Sequence, residues 1–313
     1  MRKTVTIIIP VYNEKSVLKY LFERLERLEK KHLNYSFEFL FINDGSNDGT
    51  LEIIKKEAKN NKSVSYINLS RNFGKEIAMI AGLDHAQGNA VAIIDADLQD
   101  PPELIPEMLK YWEKGYDDIY ARRTSRKGET WLKRITSRYF YSILQKSTHI
   151  SIQRDTGDFR LMSQRFVEAM RQFRESERYT KGIFSWAGFK KKEITYARDP
   201  RKAGITKWNY FRLFNLAVDG FTSFTTAPLR LASIFGVFIS IVAFIYIFII
   251  VIRTLLFGSD LVGYPSMMAV ILFLGGVQLL SLGIIGEYIG RIFSETKKRP
   301  LYFIEEYHSI TKR

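Results

Sequence analysis

Short apolar runs alternate with helical patterns through the first hundred residues of the chain. Runs of strand length occur at Val5–Ile9, Phe37–Ile42, Val64–Leu69 and Ala90–Ile94. Between them, apolar residues recur at the three- and four-residue spacing of amphipathic helices, as in Val17–Lys30. Strands that alternate with helices form parallel sheets with helices on both faces. The pattern therefore predicts an α/β fold.

Polar turns follow three of these four predicted strands, at Pro10–Glu14, Asn43–Ser46 and Asp95–Asp97. Because the carboxyl ends of parallel strands meet at one edge of a sheet, we expect the three turns to gather there. Residues i and i+2 of an extended segment point the same way, so Asp95 and Asp97 would present two carboxylates together. Magnesium binds such oxygen ligands and completes its shell with substrate phosphates. The pattern predicts a nucleotide-sized site, and a solvated acidic turn is the alternative.

Two long apolar segments dominate the C-terminal third of the chain. Ile234–Ile252 and Met267–Ile285 each span about 19 residues, close to the roughly 20 that a helix needs to cross a bilayer. A pair of buried core helices is the alternative. Lysine and arginine flank the pair and are missing from the stretch Phe257–Pro265 between them. The positive-inside rule then places both chain ends in the cytoplasm and the link outside.

Composition and charge narrow the classes of function. The net charge of +14 suits an anionic membrane surface, a phosphorylated substrate or nucleic acid. The acidic strand ends argue against nucleic acid, because they would repel its phosphates. The chain has no cysteine, which excludes disulfides and thiolate metal sites. Neither a dinucleotide-binding glycine motif after the first strand nor a P-loop occurs, which disfavours a dehydrogenase and a P-loop NTPase.

Five motifs carry a resemblance to a known family: Ile9–Glu14, Asn43–Thr50, Ser70–Lys75, Asp95–Pro102 and Thr156–Leu161. With the two apolar spans, the chain resembles family 2 glycosyltransferases of the GT-A fold. Within that family it is similar to the polyisoprenyl-phosphate branch, which includes bactoprenol glucosyltransferases and dolichyl-phosphate mannose synthases. The resemblance implies a Rossmann-like, mostly parallel α/β sheet with helices on both faces, followed by interfacial helices and two transmembrane helices.

The expected domain organisation has four parts. A cytoplasmic GT-A catalytic domain would cover residues 1–205, and interfacial amphipathic helices would cover 206–230. Two transmembrane helices would follow over 231–290, and a cytoplasmic tail over 291–313. The protein would then be a multi-pass protein of the cytoplasmic membrane with both termini inside.

The resemblance implies inverting transfer of a hexose, glucose favoured, from a UDP-sugar to undecaprenyl phosphate. The product would be a lipid-linked sugar donor for cell-envelope glycosylation. Mg²⁺ or Mn²⁺ would be the cofactor. The expected protein partners are a second copy of the chain, a flippase and a downstream glycosyltransferase. The alternatives are transfer from GDP-mannose, as in dolichyl-phosphate mannose synthases, a processive polysaccharide synthase and a non-catalytic membrane anchor. The Gln-x-x-Arg-Trp motif of processive synthases is absent.

The same resemblance assigns roles to individual residues. Asp158 aligns with the catalytic carboxylate of the family, and Asp155 is second. A phosphate monoester is already mostly ionised at pH 7, so Asp158 would orient the acceptor or Arg160, or help place the metal, rather than remove a proton. The alternative is that Asp158 caps a helix over Leu161–Phe173. The remaining assignments are Pro10, Tyr12, Glu14, Asp44, Arg71, Lys75, Asp95 and Gln99 for the nucleotide-sugar, Arg123, Arg138, Lys202 and Lys207 for the lipid phosphate, and Asp95 and Asp97 for the metal.

Two basic stretches are expected to meet the lipid phosphate. Residues 122–144 contain seven arginines and lysines interleaved with aromatic and aliphatic residues at near-helical spacing. They predict an amphipathic helix with one cationic face, for which a solvated face is the alternative. Arginine binds phosphate through two parallel hydrogen bonds, which favours a functional role for this face. The resemblance implies that a second basic loop, around Lys202 and Lys207, reaches the same site.

Overall fold

The chain forms two compact units. A computed structural model describes residues 2–123, 156–175, 180–196, 227–257 and 263–310. One unit combines Met1–Leu213 with Arg299–Arg313, and the other comprises Phe214–Lys298. The C-terminal residues therefore belong to the same unit as the N-terminal ones.

The first unit is built on one eight-stranded sheet with the order β7-β5-β6-β4-β1-β2-β3-β8. Strands β4, β1, β2 and β3 are parallel to their neighbours within this group, and β5 is parallel to β7. Strands β6 and β8 run antiparallel to the strands beside them. This mostly parallel sheet confirms the predicted fold class. The strands are β1 (Lys3–Val11), β2 (Tyr35–Asn43), β3 (Val64–Leu69), β4 (Ala90–Ile93), β5 (Asp118–Arg123), β6 (Thr156–Ser163), β7 (Lys191–Tyr196) and β8 (Ile304–His308).

Helices cover both faces of the central strands. Ile7 and Ile9 of β1 join the core cluster that contains the apolar stripe of the first helix. Ile8 points to the other face, where a Cβ on Gly82 would clash with it. Strands buried on both faces have continuous apolar sequences, which explains the runs in the sequence. The helices are α1 (Lys15–Lys31), α2 (Thr50–Asn60), α3 (Lys75–His85), α4 (Ile105–Glu113), α5 (Gln164–Arg171) and α6 (Thr180–Trp186).

Residues 156–163 form strand β6, whereas the sequence predicted that a helix begins at Leu161. The helix starts later, at Gln164, because Ser163 caps it by accepting a hydrogen bond from the Phe166 amide at 3.3 Å. Asp158 therefore lies inside a strand, and its alternative role as a helix cap is wrong.

Strand β8 lies within the stretch that we expected to be a tail. It pairs with β3 and completes one edge of the sheet. Two carboxylates reinforce the pairing: Tyr66 donates its hydroxyl hydrogen to Glu306 at 2.7 Å, and Asn68 Nδ2 donates to Glu305 at 2.8 Å. The sequence of β8 is mostly polar, so the pattern of apolar runs did not predict this strand.

The second unit contains two long helices that contact each other, α7 (Ala227–Phe257) and α8 (Tyr264–Thr296). The two predicted apolar spans lie within these helices, and most of their large apolar side chains are exposed. Among the described residues, Phe273–Thr296 is long and apolar enough to cross a membrane, and Leu231–Tyr246 is a shorter apolar stretch. The count of two membrane crossings stays a prediction.

Candidate active site

The loops after β1 and β2 are tied together at the carboxyl edge of the sheet. The Asn13 amide donates to Ser46 Oγ at 2.9 Å, and Asn13 Oδ1 accepts from the Asn47 amide at 2.8 Å. The Asp44 amide donates to the Val11 carbonyl at 2.9 Å. Asn13 has a φ of 55°, which asparagine adopts more readily than most residues. Two of the predicted polar turns therefore meet, as expected.

The backbone of the loop after β3 holds the Asp44 carboxylate. Asp44 Oδ1 accepts from the Phe73 amide at 2.7 Å, and Oδ2 accepts from the Gly74 amide at 2.9 Å. Gly45 permits this close approach, because its φ is 68° and a Cβ there would lie 2.6 Å from backbone atoms of Arg71 and Asn72. Burial raises the pKa of Asp44, and the two amides and Arg71 oppose that shift. Each oxygen retains a second lone pair for a ligand.

The other residues predicted to bind the nucleotide lie along the same edge. Pro10 is near the end of β1, and Tyr12 follows it with 42% of its surface exposed. Glu14 is the residue immediately before α1. The guanidinium of Arg71 lies 4.1 Å from the centre of the Phe73 ring. The fold thus brings an exposed aromatic ring and a cation to the edge where Asp44 lies.

Asp95 and Asp97 follow β4 at that edge. Asp97 is buried, and its Oδ1 accepts from the Gln99 amide at 3.1 Å. Leu98 has a φ of 62°, a left-handed conformation that is strained for leucine. Strain of this kind clusters at functional sites, where surrounding contacts impose it. The loop that carries the two carboxylates is therefore held in a specific shape.

Asp158 lies beside Asp95 because β6 runs antiparallel to β4. The register pairs Ile93 with Arg160, and two residues further along it leads Asp95 towards Asp158. The Nζ atom of Lys75 lies 2.5 Å from Asp95 Oδ1 and 2.6 Å from Asp158 Oδ2. Burial alone would lower the pKa of Lys75, but the two carboxylates outweigh burial and raise it. A charged ammonium group therefore joins two predicted site carboxylates.

Asp118, rather than Asp158, orients Arg160. The Arg160 Nη1 atom lies 3.2 Å from each Asp118 oxygen, and the guanidinium packs 3.6 Å from the centre of the Phe184 ring. Both charged partners are fully buried. The sequence analysis gave orientation of Arg160 as one possible role of Asp158, but the described contact of Asp158 is with Lys75.

Two residues without a predicted role complete the cluster. Tyr196, at the end of β7, donates its hydroxyl hydrogen to Asp100 Oδ1 at 2.5 Å, and Arg123 Nε donates to the same hydroxyl at 3.4 Å. Burial and the nearby Asp95 raise the pKa of Asp100 to about 6, while Tyr196 and Arg123 oppose the shift. Asp100 belongs to the Asp95–Pro102 motif and could have been identified there. Nothing in the sequence links it to Tyr196.

Four predicted site residues, Asp155, Arg138, Lys202 and Lys207, lie outside the described residues, and their roles stay predictions. The amphipathic helix predicted over residues 122–144 is wrong at its start, because Arg122 and Arg123 belong to strand β5. The rest of that stretch is outside the described residues as well.

A divalent cation suits the oxygen donors at the end of β4. Asp95 Oδ1 is buried and, within the described part of the chain, accepts no hydrogen bond of good geometry. Its neighbour at 2.5 Å is an ammonium nitrogen, so the position already attracts positive charge. The described residues contain no group of three or more histidine, cysteine or acidic side chains arranged for a metal. Mg²⁺ or Mn²⁺ would therefore need phosphate and water to complete its shell.

The structure is an α/β fold with carboxylates and cations gathered at the carboxyl ends of its parallel strands. The profile described as Glycosyl transferase family 2 matches residues 6–171, more than half of the chain. The profile described as GtrB C-terminal hairpin matches residues 227–292. The chain belongs to glycosyl transferase family 2.

The similarity extends over whole relatives. The uncharacterised glycosyltransferase sll0501 of Synechocystis sp. is 48% identical over 301 residues, which cover 96% of this chain and 94% of the relative. The SfII prophage-derived bactoprenol glucosyl transferase of Shigella flexneri is 43% identical over 304 residues, or 97% and 98% of the two chains. The crystal structure of mannosyl-3-phosphoglycerate synthase from Rubrobacter xylanophilus superposes on this chain with a TM-score of 0.48 and 14% sequence identity. The match covers 69% of this chain and 71% of that one.

Proposed function

We propose that this glycosyltransferase moves glucose from UDP-glucose to undecaprenyl phosphate. The observation that carries the proposal is the cluster in which Asp95, Asp158, Lys75 and Arg123 converge at the carboxyl edge of the sheet. It combines carboxylates for a metal-bound diphosphate with cations for two phosphate groups. The relative named as a bactoprenol glucosyl transferase supports the choice of sugar and of lipid.

The donor would lie along the edge formed by the loops after β1, β2 and β3. Asp44 would accept hydrogen bonds from the nucleoside, with Pro10, Tyr12 and Glu14 lining the same pocket. Arg71 and Lys75 would bind the diphosphate, because both are cations at this edge. When bound at Asp95 and Asp97, Mg²⁺ or Mn²⁺ would stabilise the charge that develops on the leaving diphosphate.

The acceptor phosphate would attack the anomeric carbon of the sugar. A bond forms between the phosphate oxygen and that carbon, the bond to the diphosphate oxygen breaks, UDP leaves and the configuration inverts. Arg123, which is steadied by the Tyr196 hydroxyl, would hold the acceptor phosphate together with Arg138, Lys202 and Lys207. Because the phosphate is already ionised, Asp158 would orient groups rather than remove a proton.

The lipid acceptor requires a membrane, and the helical pair supports one. Exposed apolar side chains cover α7 and α8, as on helices that face lipid. Strand β8 pairs with β3, so the chain returns to the catalytic unit after both helices. A chain that leaves and rejoins one folded unit must cross a membrane an even number of times. This supports two crossings with the catalytic unit and the C-terminus on the same side, and the basic residues that flank the helices favour the cytoplasmic side.

The enzyme assay uses membranes that contain the full-length chain, undecaprenyl phosphate and one radiolabelled donor at a time. We expect label from UDP-glucose in the lipid extract. Label only from GDP-mannose would favour mannose transfer, and label in an insoluble polymer would favour a processive synthase. No transfer from UDP-glucose, UDP-N-acetylglucosamine or GDP-mannose would favour a membrane anchor.

The orientation is tested by labelling intact cells. A tag at Ser259, in the link between the two apolar segments, should be accessible from outside, and a tag at the C-terminus should not. The opposite labelling would contradict the proposed topology, because it would place the site away from cytoplasmic UDP-sugar.

A further inference from the structure

Lys75 connects two carboxylates that the sheet forces together. Asp95 directly follows the end of β4 and Asp158 lies on the adjacent antiparallel strand β6, and like charges at such close positions repel. The Lys75 ammonium lies within 2.6 Å of an oxygen of each. Lys75 is the first residue of α3, and 44% of its side chain is exposed. A flexible and accessible side chain therefore supplies the positive charge between them.

We propose that Lys75 is an exchangeable counter-ion, which holds Asp95 in the donor-free protein and moves to the donor diphosphate when the metal binds. The proposal rests on the proposed metal site at Asp95 and Asp97. Lysine suits this role because it is a point charge on a four-carbon stem, without the fixed geometry of arginine.

The exchange follows from the space around Asp95 Oδ1. The ammonium nitrogen is 2.5 Å from this oxygen, and a bound Mg²⁺ would approach it to about 2.1 Å. Two cations this close to one oxygen repel each other, so a metal ion at Oδ1 would push the ammonium away and break the Lys75–Asp95 contact. Lys75 can keep its contact with Asp158 while it turns towards an incoming phosphate.

The exchange couples the metal to the nucleotide. Without nucleotide, the metal displaces the Lys75 ammonium from Asp95, and the ammonium gains no new partner. The metal therefore binds weakly. With nucleotide, the displaced ammonium gains the diphosphate. Each ligand then raises the affinity for the other, and by linkage the two factors are equal. Loss of the ammonium should strengthen metal binding alone and weaken this coupling.

The test measures free Mn²⁺ by electron paramagnetic resonance during titration of the full-length protein in detergent, with and without UDP. The variants are Lys75→Met, Lys75→Arg and, as a matched control, Lys55→Met, whose lysine pairs with Glu306 on β8. In Lys75→Met we expect Mn²⁺ to bind roughly tenfold more tightly without UDP, and UDP to strengthen Mn²⁺ binding by a smaller factor than in the wild type. Lys75→Arg and Lys55→Met should bind Mn²⁺ alone within about twofold of the wild type.

Unchanged or weaker Mn²⁺ binding by a folded Lys75→Met variant would overturn the proposal, and circular dichroism establishes that the variant is folded. Absence of Mn²⁺ binding in every protein, with or without UDP, would overturn it as well. Failure of the proposed function would look different. A protein that transfers no glucose to the lipid but shows the expected Mn²⁺ responses would leave the Lys75 exchange standing and contradict only the proposed acceptor.

Discussion

The carboxylates that follow β2 and β4 lie at the same edge of the sheet, but they are neutralised in different ways. Asp44 accepts hydrogen bonds from the backbone amides of Phe73 and Gly74. Asp95 contacts the side chain of Lys75, the residue that follows Gly74 and begins α3. The short segment Phe73–Lys75 thus neutralises both carboxylates, one with backbone amides and the other with an ammonium group.

The difference separates a permanent contact from an exchangeable one. Backbone amides cannot leave Asp44 without unfolding the loop, so that carboxylate is part of the framework. A lysine side chain can leave Asp95 by rotating its own bonds, which makes that carboxylate available to a metal ion. Substitutions at the first site should mainly change stability, and those around the second should mainly change chemistry.

The largest effect is expected from Asp97→Asn, which changes a carboxylate of the proposed metal site beside Asp95. Transfer should fall by roughly a thousandfold or more, because the metal would lose one of two carboxylates and with it several kcal/mol of charge stabilisation. UDP-glucose binding should weaken only when Mg²⁺ or Mn²⁺ is present. The measurements are the initial rate of lipid-linked product formation and calorimetric binding of the donor.

Glu113→Gln is the matched control for Asp97→Asn, because Glu113 binds Lys3 and Tyr35, which lie near the amino ends of β1 and β2. It should leave transfer within about twofold of the wild type. Full wild-type activity in excess EDTA would contradict the role of the metal and remove the basis for calling Asp95 exchangeable.

The second effect concerns Asp158, which shares Lys75 with Asp95. Asp158→Asn should lower kcat by roughly a hundredfold at every pH, because it misplaces Lys75 and the acceptor rather than removing a base. A base would show partial rescue above the second pKa of the phosphate, near 6. The measurement is the pH profile of kcat with saturating lipid. Recovery at high pH would establish Asp158 as a base, and wild-type turnover throughout would shift attention to Asp155.

The sequence predicted the part of the fold that is buried on both faces. Strands β1 to β4 were predicted because both faces are covered and their sequences are continuously apolar. Strand β8 was missed because its residues are polar or exposed at the sheet edge, for example Glu305. Strand β6 was mistaken in part for a helix, because its last three residues, Leu161–Ser163, were assigned to the helix that follows and in fact begins at Gln164.

The candidate site was predictable only where it is local in sequence. Motifs placed Asp44, Asp95 and Asp97 at strand ends, and the observed sheet puts them there. The contact of Lys75 with two acids depends on α3, β4 and β6 together, and the Tyr196–Asp100 bond depends on β7 lying beside β5. Such contacts follow from the strand order, which the pattern of apolar residues does not determine.

The third prediction compares stability at the two carboxylates directly. Asp44→Ala should lower the free energy of unfolding by about 2 kcal/mol, because it leaves two partly buried backbone amides without their acceptor. Asp95→Ala should cost less than about 1 kcal/mol, since its ammonium partner is accessible to water. Chemical denaturation of the full-length chain in detergent measures both. Equal losses would mean that the backbone contact of Asp44 is no firmer than the side-chain contact of Asp95.

The smallest effect is expected at Asp117, a carboxylate bound by side chains but lying outside the site. Arg165 contacts both oxygens at 2.5–2.6 Å, and Ser163 donates to Oδ1 at 2.8 Å. Hydrogen bonds from Arg165 lower the pKa of Asp117, although burial opposes the shift. Because the folded-state pKa is depressed, this stabilisation is complete above the unfolded pKa near 3.9 and is lost as pH falls through the folded value.

Asp117→Asn should therefore lower the free energy of unfolding by only about 0.5 kcal/mol at pH 7, because Arg165 is exposed to solvent. The difference from the wild type should shrink as the pH falls below 4, and denaturation curves at pH 3 to 7 measure it. Mn²⁺ binding should not change, because Asp117 is not at the metal site. A loss of Mn²⁺ affinity at pH 7 would show that an ion pair elsewhere in the sheet also affects the metal site. The contrast between Asp44 and Asp95 would then no longer explain which carboxylates can exchange their partners.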